Sequence, residues 1–177
     1  MAEKFAALTA GTSVMSLLKR ADAYDSSKPV VAYFCRERAL TATMSRLSEA
    51  DAGSLEAELS RLIELLEGAK PSLGVMPESA SYFAAIENEA VSAFTLAEKA
   101  YRGGVANKAS MVNFLNAGFL LEALMTVQCD EWSALPKYRD MSFYAKKSAQ
   151  LISTALQSGV QAMPPVNAGE KCQCKTI

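Results

Sequence analysis

"SSKPVVAYFCRERAL", residues 26–40, is the stretch on which the fold class of this chain depends, because the same residues suit either a β-strand or an α-helix. The run VVAYF has the β-branched and aromatic composition that strands favour. Pro29, however, stands where the first turn of a helix accepts proline, and Ser26 and Ser27 before it are helix-capping residue types. This arrangement favours a helix that begins near Pro29.

As a helix, the segment after Pro29 is apolar on two faces. One face holds Val31, Phe34, Cys35 and Ala42, and the other holds Val30, Tyr33, Leu40, Met44 and Leu47. A helix that is apolar on two sides is usually packed between neighbouring helices. The sequence therefore predicts the central helix of a bundle, with Cys35 buried as a small hydrophobic residue.

Amphipathic helices are predicted on both sides of this central helix. Residues 12–25 carry apolar side chains every three or four positions. The segment after the central helix has a leucine stripe at heptad spacing, with Ser54 as its predicted N-cap and Gly68 at its end. The stripe consists of Leu55, Leu59, Leu62 and Leu66. Three helices with short connections predict an antiparallel bundle.

The second half of the chain shows the same organisation. Helical periodicity extends over residues 77–102, 107–129 and 135–159, and no segment has the pattern of a strand or hairpin. The predicted fold is all-α, with six to seven helices in two three-helix bundles in tandem. We expect a flexible N-terminus (1–11), a first module (12–74), a linker helix with a second module (75–162) and a disordered tail (163–177).

Composition excludes several classes of function. The 18 basic and 19 acidic residues give a net charge of −1 without a basic stripe, so nucleic acid is not an expected partner. No run approaches the roughly 18 to 20 apolar residues of a membrane-spanning helix, and the N-terminus does not resemble a signal peptide. These features predict a cytoplasmic protein.

Residues for catalysis are also missing from the sequence. The 177 residues contain no histidine, which rules out Ser-His-Asp triads, Cys-His dyads and histidine-ligated metals. Glu87 and Glu89 are two positions apart, so they do not share a helical face as a carboxylate pair. Gly103 and Gly104 are better explained as the end of a helix than as a phosphate-binding loop. We expect no enzymatic activity, no cofactor and no metal site.

The motif KPVVAYFCRERAL, residues 28–40, resembles the D-P-V-V-A-Y-Y-C-R signature of the Vta-type family of regulators of ESCRT-III disassembly. Segments 72–74, 87–104, 107–127 and 137–152 are similar to the same family in order and spacing, so the resemblance covers about residues 12–162. At one position the chain departs from the family, because Lys28 replaces an acidic residue before Pro29.

The resemblance implies a tandem pair of MIT modules, which bind short helical tails of ESCRT-III subunits in multivesicular-body sorting. It also implies recruitment from the cytoplasm to endosomal membranes. Family members contact the AAA ATPase that disassembles ESCRT-III through a separate C-terminal domain and a long linker. This chain shows neither, so either the sequence is part of a longer protein or it binds ESCRT-III and affects that ATPase only indirectly.

The implied binding mode is an amphipathic helix lying in a groove between two bundle helices. Ile63 is one step away from the leucine stripe and is expected to face this groove, with Tyr33 on the opposite wall. The spacing alone equally allows both side chains to lie in the core. The full set predicted to contact partners is Tyr33, Leu40, Met44, Leu59, Ile63 and Leu66, the acids Glu56, Glu64 and Glu67, and Phe143 and Tyr144 of the second module.

Two alternative functions remain at this point. An apolar stripe is equally typical of a plain helical scaffold or dimerisation domain. The last four residues, CKTI, have the outline of a prenylation motif on Cys174, with Cys172 as a second candidate lipid site. That outline is imperfect, because Lys175 stands where an aliphatic residue is usual. Lipidation of these cysteines would give a peripheral membrane adaptor.

Overall fold

The computed structural model describes residues 14–46, 49–77, 79–127 and 135–162. Six α-helices and one short 3-10 helix form the described part of the chain, which contains no strand. They are α1 (Val14–Tyr24), α2 (Pro29–Met44), α3 (Glu49–Ala69), the 3-10 turn Lys70–Ser72, α4 (Ala80–Arg102), α5 (Lys108–Met125) and α6 (Leu135–Gln157). The predicted all-α fold is confirmed, and none of these helices is long and apolar enough to cross a bilayer.

Helix α2 confirms the helical interpretation of residues 26–40. It begins at Pro29, which supplies no backbone donor in a turn where none is needed. Its buried residues surround the helix axis and include Val31, Ala32, Tyr33, Phe34, Cys35 and Ala39. The strand-like composition of VVAYF therefore reflects burial on several sides, as in a central helix, and not a sheet.

The starts of α4 and α5 follow local side-chain chemistry, whereas the N-cap residue of α2 is Lys28, which makes no side-chain cap hydrogen bond. Ser79 caps α4 and accepts a hydrogen bond from the Tyr82 amide at 3.2 Å. Asn107 and Ser110 form a capping box at the start of α5. The glycine end predicted for α4 is also present, because Gly104 adopts a φ of +69° directly after the cap residue Gly103.

Two predicted helix starts were wrong. Helix α3 begins at Glu49, upstream of Ser54, so Ser54 is not its N-cap. Single-sequence patterns place helix ends poorly, because a serine inside a helix has the same one-letter signature as a capping serine. Helix α4 begins at Ala80, after Pro77, because Ser79 provides the cap.

The helices enclose two hydrophobic cores. The larger core joins α1 and α2 to Leu66 of α3, the first half of α4, the second half of α5 and the start of α6. The smaller core lies at the other end of α4 and includes Ala97, Tyr101, Phe114, Ala145, Ala149, Ile152 and Ala162. The larger core therefore takes side chains from both predicted modules, and α4 contributes to both cores.

Helices α5 and α6 approach each other closely at Gly118. Ser142 of α6 donates a hydrogen bond to the Gly118 carbonyl at 2.7 Å. A Cβ atom at this position would lie 2.8 Å from Cγ of Lys146 and 3.3 Å from the Ser142 carbonyl oxygen. A side chain here would therefore force Lys146 and its surroundings to shift, so glycine favours the close packing of α5 on α6.

Candidate functional site

Helix α3 presents an exposed isoleucine among acidic side chains. Leu55, Leu62 and Leu66 are buried on the face that points towards the bundle. Ile63 is about 100° further round the helix than Leu62, and 45 % of its surface is exposed. Glu56, Glu64 and Glu67 are exposed on the same helix. We call Glu56, Ile63, Glu64 and Glu67 the α3 surface.

The other residues predicted for the first-module site lie at different depths. Met44, at the end of α2, is 58 % exposed, whereas Leu40 and Leu59 are half-buried. Tyr33 is only 6 % exposed and packs edge-on against Tyr82 of α4, with 6.3 Å between ring centroids. Leu66 is also buried. Tyr33 and Leu66 therefore lie in the core, and neither presents open surface to a partner in this conformation.

Helix α4 is joined to three other helices by tyrosine–glutamate hydrogen bonds that the sequence analysis missed. Tyr24 of α1 donates to Glu89 at 2.9 Å, and Tyr82 of α4 donates to Glu37 of α2 at 3.0 Å. Tyr138 and Tyr144 of α6 donate to Glu87 and Glu98 of α4. Glu87 and Glu89 thus bind tyrosines of different helices, which agrees with the prediction that they do not form a carboxylate pair.

These tyrosines are held in their neutral form. Burial, followed by the adjacent glutamate, raises the pKa of Tyr24, Tyr82 and Tyr138 above the ordinary value. The same causes raise the pKa of Tyr144 to about 12. A neutral phenol can donate its proton to a carboxylate, so these groups act as structural links near neutral pH.

Lys28, which departs from the family signature, also contacts α4. Its ammonium group forms an ion pair with Glu89, the same carboxylate that accepts from Tyr24. The residue that departs from the family signature is therefore paired with a glutamate on another helix, 61 residues away in sequence.

Cys35 lies in the core and is unsuited to nucleophilic chemistry. It has no exposed surface, and burial raises the pKa of its thiol to about 12, although Arg20 and Arg36 partly oppose the shift. A thiol with that pKa is almost entirely protonated near neutral pH. Among the residues that the structure describes, no group of three or more cysteine, aspartate or glutamate side chains could hold a metal ion.

The two residues predicted for the second module point in different directions. Tyr144 lies in the seam between α4 and α6, where its ring packs near Phe94 and Phe114 at 5.9 and 6.1 Å between centroids. Phe143 is 70 % exposed, on the outer side of α6. The two side chains therefore do not form one surface. Cys172 and Cys174 lie outside the described residues.

Comparison with known proteins matches most of the helical region to one protein family. The profile of a protein family described as "Vta1 like" matches residues 13–158. Proteins named vacuolar protein sorting-associated protein VTA1 homolog, from Bos taurus, Homo sapiens and Mus musculus, are each 30 % identical over 152 residues. The matched part covers 83 % of this chain and 47 % of each relative, so the chain spans about half the length of these relatives.

Proposed function

The chain belongs to the Vta1-like family, and on that basis we propose that it is an adaptor of vacuolar protein sorting that binds helical C-terminal tails of ESCRT-III subunits. The names of the curated relatives support the sorting role. The resemblance of residues 28–40 and the later segments to tandem MIT modules supports the tail as the ligand.

The observation that carries this proposal is the exposure of Ile63 among the acids of the α3 surface. An amphipathic helix that binds in a groove needs an apolar contact for its leucines and opposite charges at the rim. Ile63 supplies the apolar contact, and Glu56, Glu64 and Glu67 supply the negative charges that attract a basic tail. Exposed Met44 and half-buried Leu40 and Leu59 extend the apolar area on α2 and α3.

The buried members of the predicted set have a supporting role in this proposal. Tyr33 and Leu66 both belong to the larger core, where Tyr33 packs α2 against Tyr82 of α4 and Leu66 anchors α3. In the second module, the seam between α4 and α6 is the proposed contact for a longer ESCRT-III segment. Tyr144 lies in that seam with Glu98.

The proposed function also implies where the protein acts. The adaptor is cytoplasmic and reaches endosomal membranes through ESCRT-III polymers, without an enzymatic step of its own.

Leu65 provides a matched control for the test of this site. Ile63 and Leu65 are 45 % and 46 % exposed on the same helix, but they point to opposite flanks of the buried stripe. We expect Ile63→Asp to weaken binding to fluorescent ESCRT-III tail peptides by about fivefold or more, which corresponds to roughly 1 kcal/mol. Leu65→Asp should bind like the unaltered protein.

Circular dichroism and the melting temperature of both variants report whether the fold is intact. If Ile63→Asp stays folded and binds every tail normally, the site is not on the α3 surface. If Leu65→Asp is the weaker binder, the groove lies on the other flank of α3. Unfolding of Ile63→Asp would identify Ile63 as a core residue.

A further inference from the structure

The outer face of α6 carries an aromatic side chain between two cations. Phe143 has 70 % of its surface exposed, more than any other aromatic side chain in the described part of the chain. Arg139 and Lys147 are one helical turn before and after it, and both are exposed. We call these three residues the α6 stripe. The opposite side of the helix packs into the smaller core through Ala145, Ala149 and Ile152.

The α3 surface is the electrostatic counterpart of the α6 stripe. Each has one exposed large hydrophobic residue, Ile63 or Phe143. Glu67 is one turn after Ile63 and Glu56 is two turns before it on the same side, whereas Glu64 lies about 100° further round the helix. Glu56, Glu64 and Glu67 make the α3 surface negative, and on α6 the cations Arg139 and Lys147 outnumber the one exposed acid on the same face, Asp140. Ile63 and Phe143 are both exposed in a single copy, so the two surfaces do not cover each other within one chain.

We propose that the α6 stripe of one copy binds the α3 surface of a second copy, head to tail. Phe143 then contacts Ile63, while Arg139 and Lys147 face Glu56 and Glu67, which lie on either side of Ile63 along α3. Opposite charges at the rim favour this pairing over the like-charged pairing of two α3 surfaces or two α6 stripes.

Two physical properties follow from this geometry. Each copy in a pair keeps one unused surface, so the contact is heterologous and generates open chains whose mean mass rises with concentration. A single helix against a single helix buries less than the roughly 1,200 Å² at the lower limit of stable interfaces, so the association is weak. It should also weaken as salt screens the charges.

This association has a consequence that rests on the proposed function. A basic face with one large apolar residue is the chemistry that the α3 surface is proposed to accept from an ESCRT-III tail. A second copy would therefore compete with the tail for the same surface, and tail binding would dissociate the chains.

A complementation experiment tests the pairing. One variant, Glu56→Lys with Glu67→Lys, loses the α3 surface but keeps the α6 stripe. The other variant, Phe143→Asp with Lys147→Glu, loses the α6 stripe but keeps the α3 surface. In sedimentation velocity we expect the unaltered protein to form species of increasing mass, each variant to stay monomeric, and an equal mixture of the two variants to stop at a 1:1 dimer.

Several results would overturn the proposal. They are a monomeric unaltered protein at every concentration, self-association of either variant alone, and a mixture that stays monomeric although both variants keep their circular-dichroism spectra. Phe143→Ser with Lys147→Ser replaces the second variant if the charge reversal unfolds the protein. Binding of the monomeric protein to phosphatidylserine vesicles, lost in the Phe143 variant, would instead make the α6 stripe a membrane contact.

Tail binding is measured separately, so that the two proposals can fail independently. An Arg139→Glu, Lys147→Glu variant retains the α3 surface and every side chain predicted to contact a tail, and it is expected to bind ESCRT-III tail peptides at least as tightly as the unaltered protein. If the complementary variants pair but no tail binds, the self-association stands and the proposed function fails.

Discussion

Tyr24 of α1 donates a hydrogen bond to Glu89 of α4, with 2.9 Å between Oη and Oε1, across 65 residues of sequence. Lys28 binds the other oxygen of the same carboxylate. This cluster connects the first and second halves of the chain, and it adds a directional contact to a core that already crosses between them. Its residues are therefore a suitable place to test how strongly the two halves depend on each other.

Removal of the Tyr24 hydroxyl should destabilise the whole described fold. Both partners are largely buried, and a hydrogen bond to a charged group contributes roughly 1.5 to 3 kcal/mol. We expect Tyr24→Phe to lower the free energy of unfolding by about this amount in urea titrations. Thr95→Val on an exposed part of α4 is the control, with little change expected. Two separate unfolding transitions in the Tyr24 variant would show that the halves are held together mainly by this contact.

Alkaline pH should destabilise the fold by ionising tyrosines that donate hydrogen bonds to glutamates. The pKa of Tyr144 is about 12 in the folded chain, mainly through burial and then through Glu98, against an ordinary value of 10.0 for a free tyrosine. A folded pKa above the unfolded pKa contributes stability that is complete below pH 10 and is lost as pH rises towards 12. Urea midpoints should therefore fall over this range. Tyr144→Phe should reduce the dependence on pH, and an unchanged slope would contradict the assignment.

The fold was predictable from the sequence because burial in a helical bundle leaves a periodic pattern. The two apolar faces of α2 and the leucine stripe of α3 both follow helical spacing, and the structure buries most of them. The start of α3 was not predictable, because Ser54 satisfies the local capping rule without being at the helix end.

At the candidate site, the sequence predicted features that depend on one helix and missed those that depend on contacts between helices. The exposure of Ile63 agrees with its position one step off the stripe on its own helix, although the spacing alone also allowed a core position. The burial of Tyr33 against Tyr82 depends on how α2 meets α4, and no spacing within α2 contains that information. The tyrosine–glutamate links were missed for the same reason, since their partners are 45 to 65 residues apart.

Gly118→Ala should destabilise the packing of α5 on α6. The added methyl group would meet Lys146 and the Ser142 carbonyl, and overpacking of this kind costs about 1 to 3 kcal/mol. The gain in helix propensity, about 1 kcal/mol, offsets only part of that cost. Thermal unfolding of Gly118→Ala and of the unaltered protein measures the difference in stability.

Gly68→Ala is the matched control for this substitution. Gly68 is in α3, and no atom lies within 4 Å of the position that a Cβ atom would take there. The substitution should raise the melting temperature slightly, because alanine favours the helix and meets nothing. If both alanine variants are equally stabilised, α5 and α6 are further apart than the structure indicates.

The acids of the α3 surface should control the salt dependence of the proposed tail binding. Glu64 and Glu67 are exposed, so they contribute through screened attraction more than through desolvated ion pairs. We expect Glu64→Gln with Glu67→Gln to weaken binding of a basic ESCRT-III tail at low salt and to flatten its dependence on salt. Asp22→Asn with Asp140→Asn is the control, because it removes the same number of exposed negative charges from α1 and α6. An equal effect of the control pair would point to net charge instead of a local contact.

Cys35 should resist alkylation as long as the protein is folded. Its thiol is fully buried with a pKa of about 12, so both access and the thiolate fraction are low. We expect iodoacetamide to leave Cys35 unmodified in the native protein near neutral pH and to modify it once urea unfolds the chain, as followed by mass spectrometry of the peptide that contains it. Peptide mapping separates Cys35 from the other three cysteines, which provide a comparison in the same sample. Rapid modification of Cys35 under native conditions, with the circular-dichroism spectrum unchanged, would show that α2 opens readily and is not the fixed centre of the bundle.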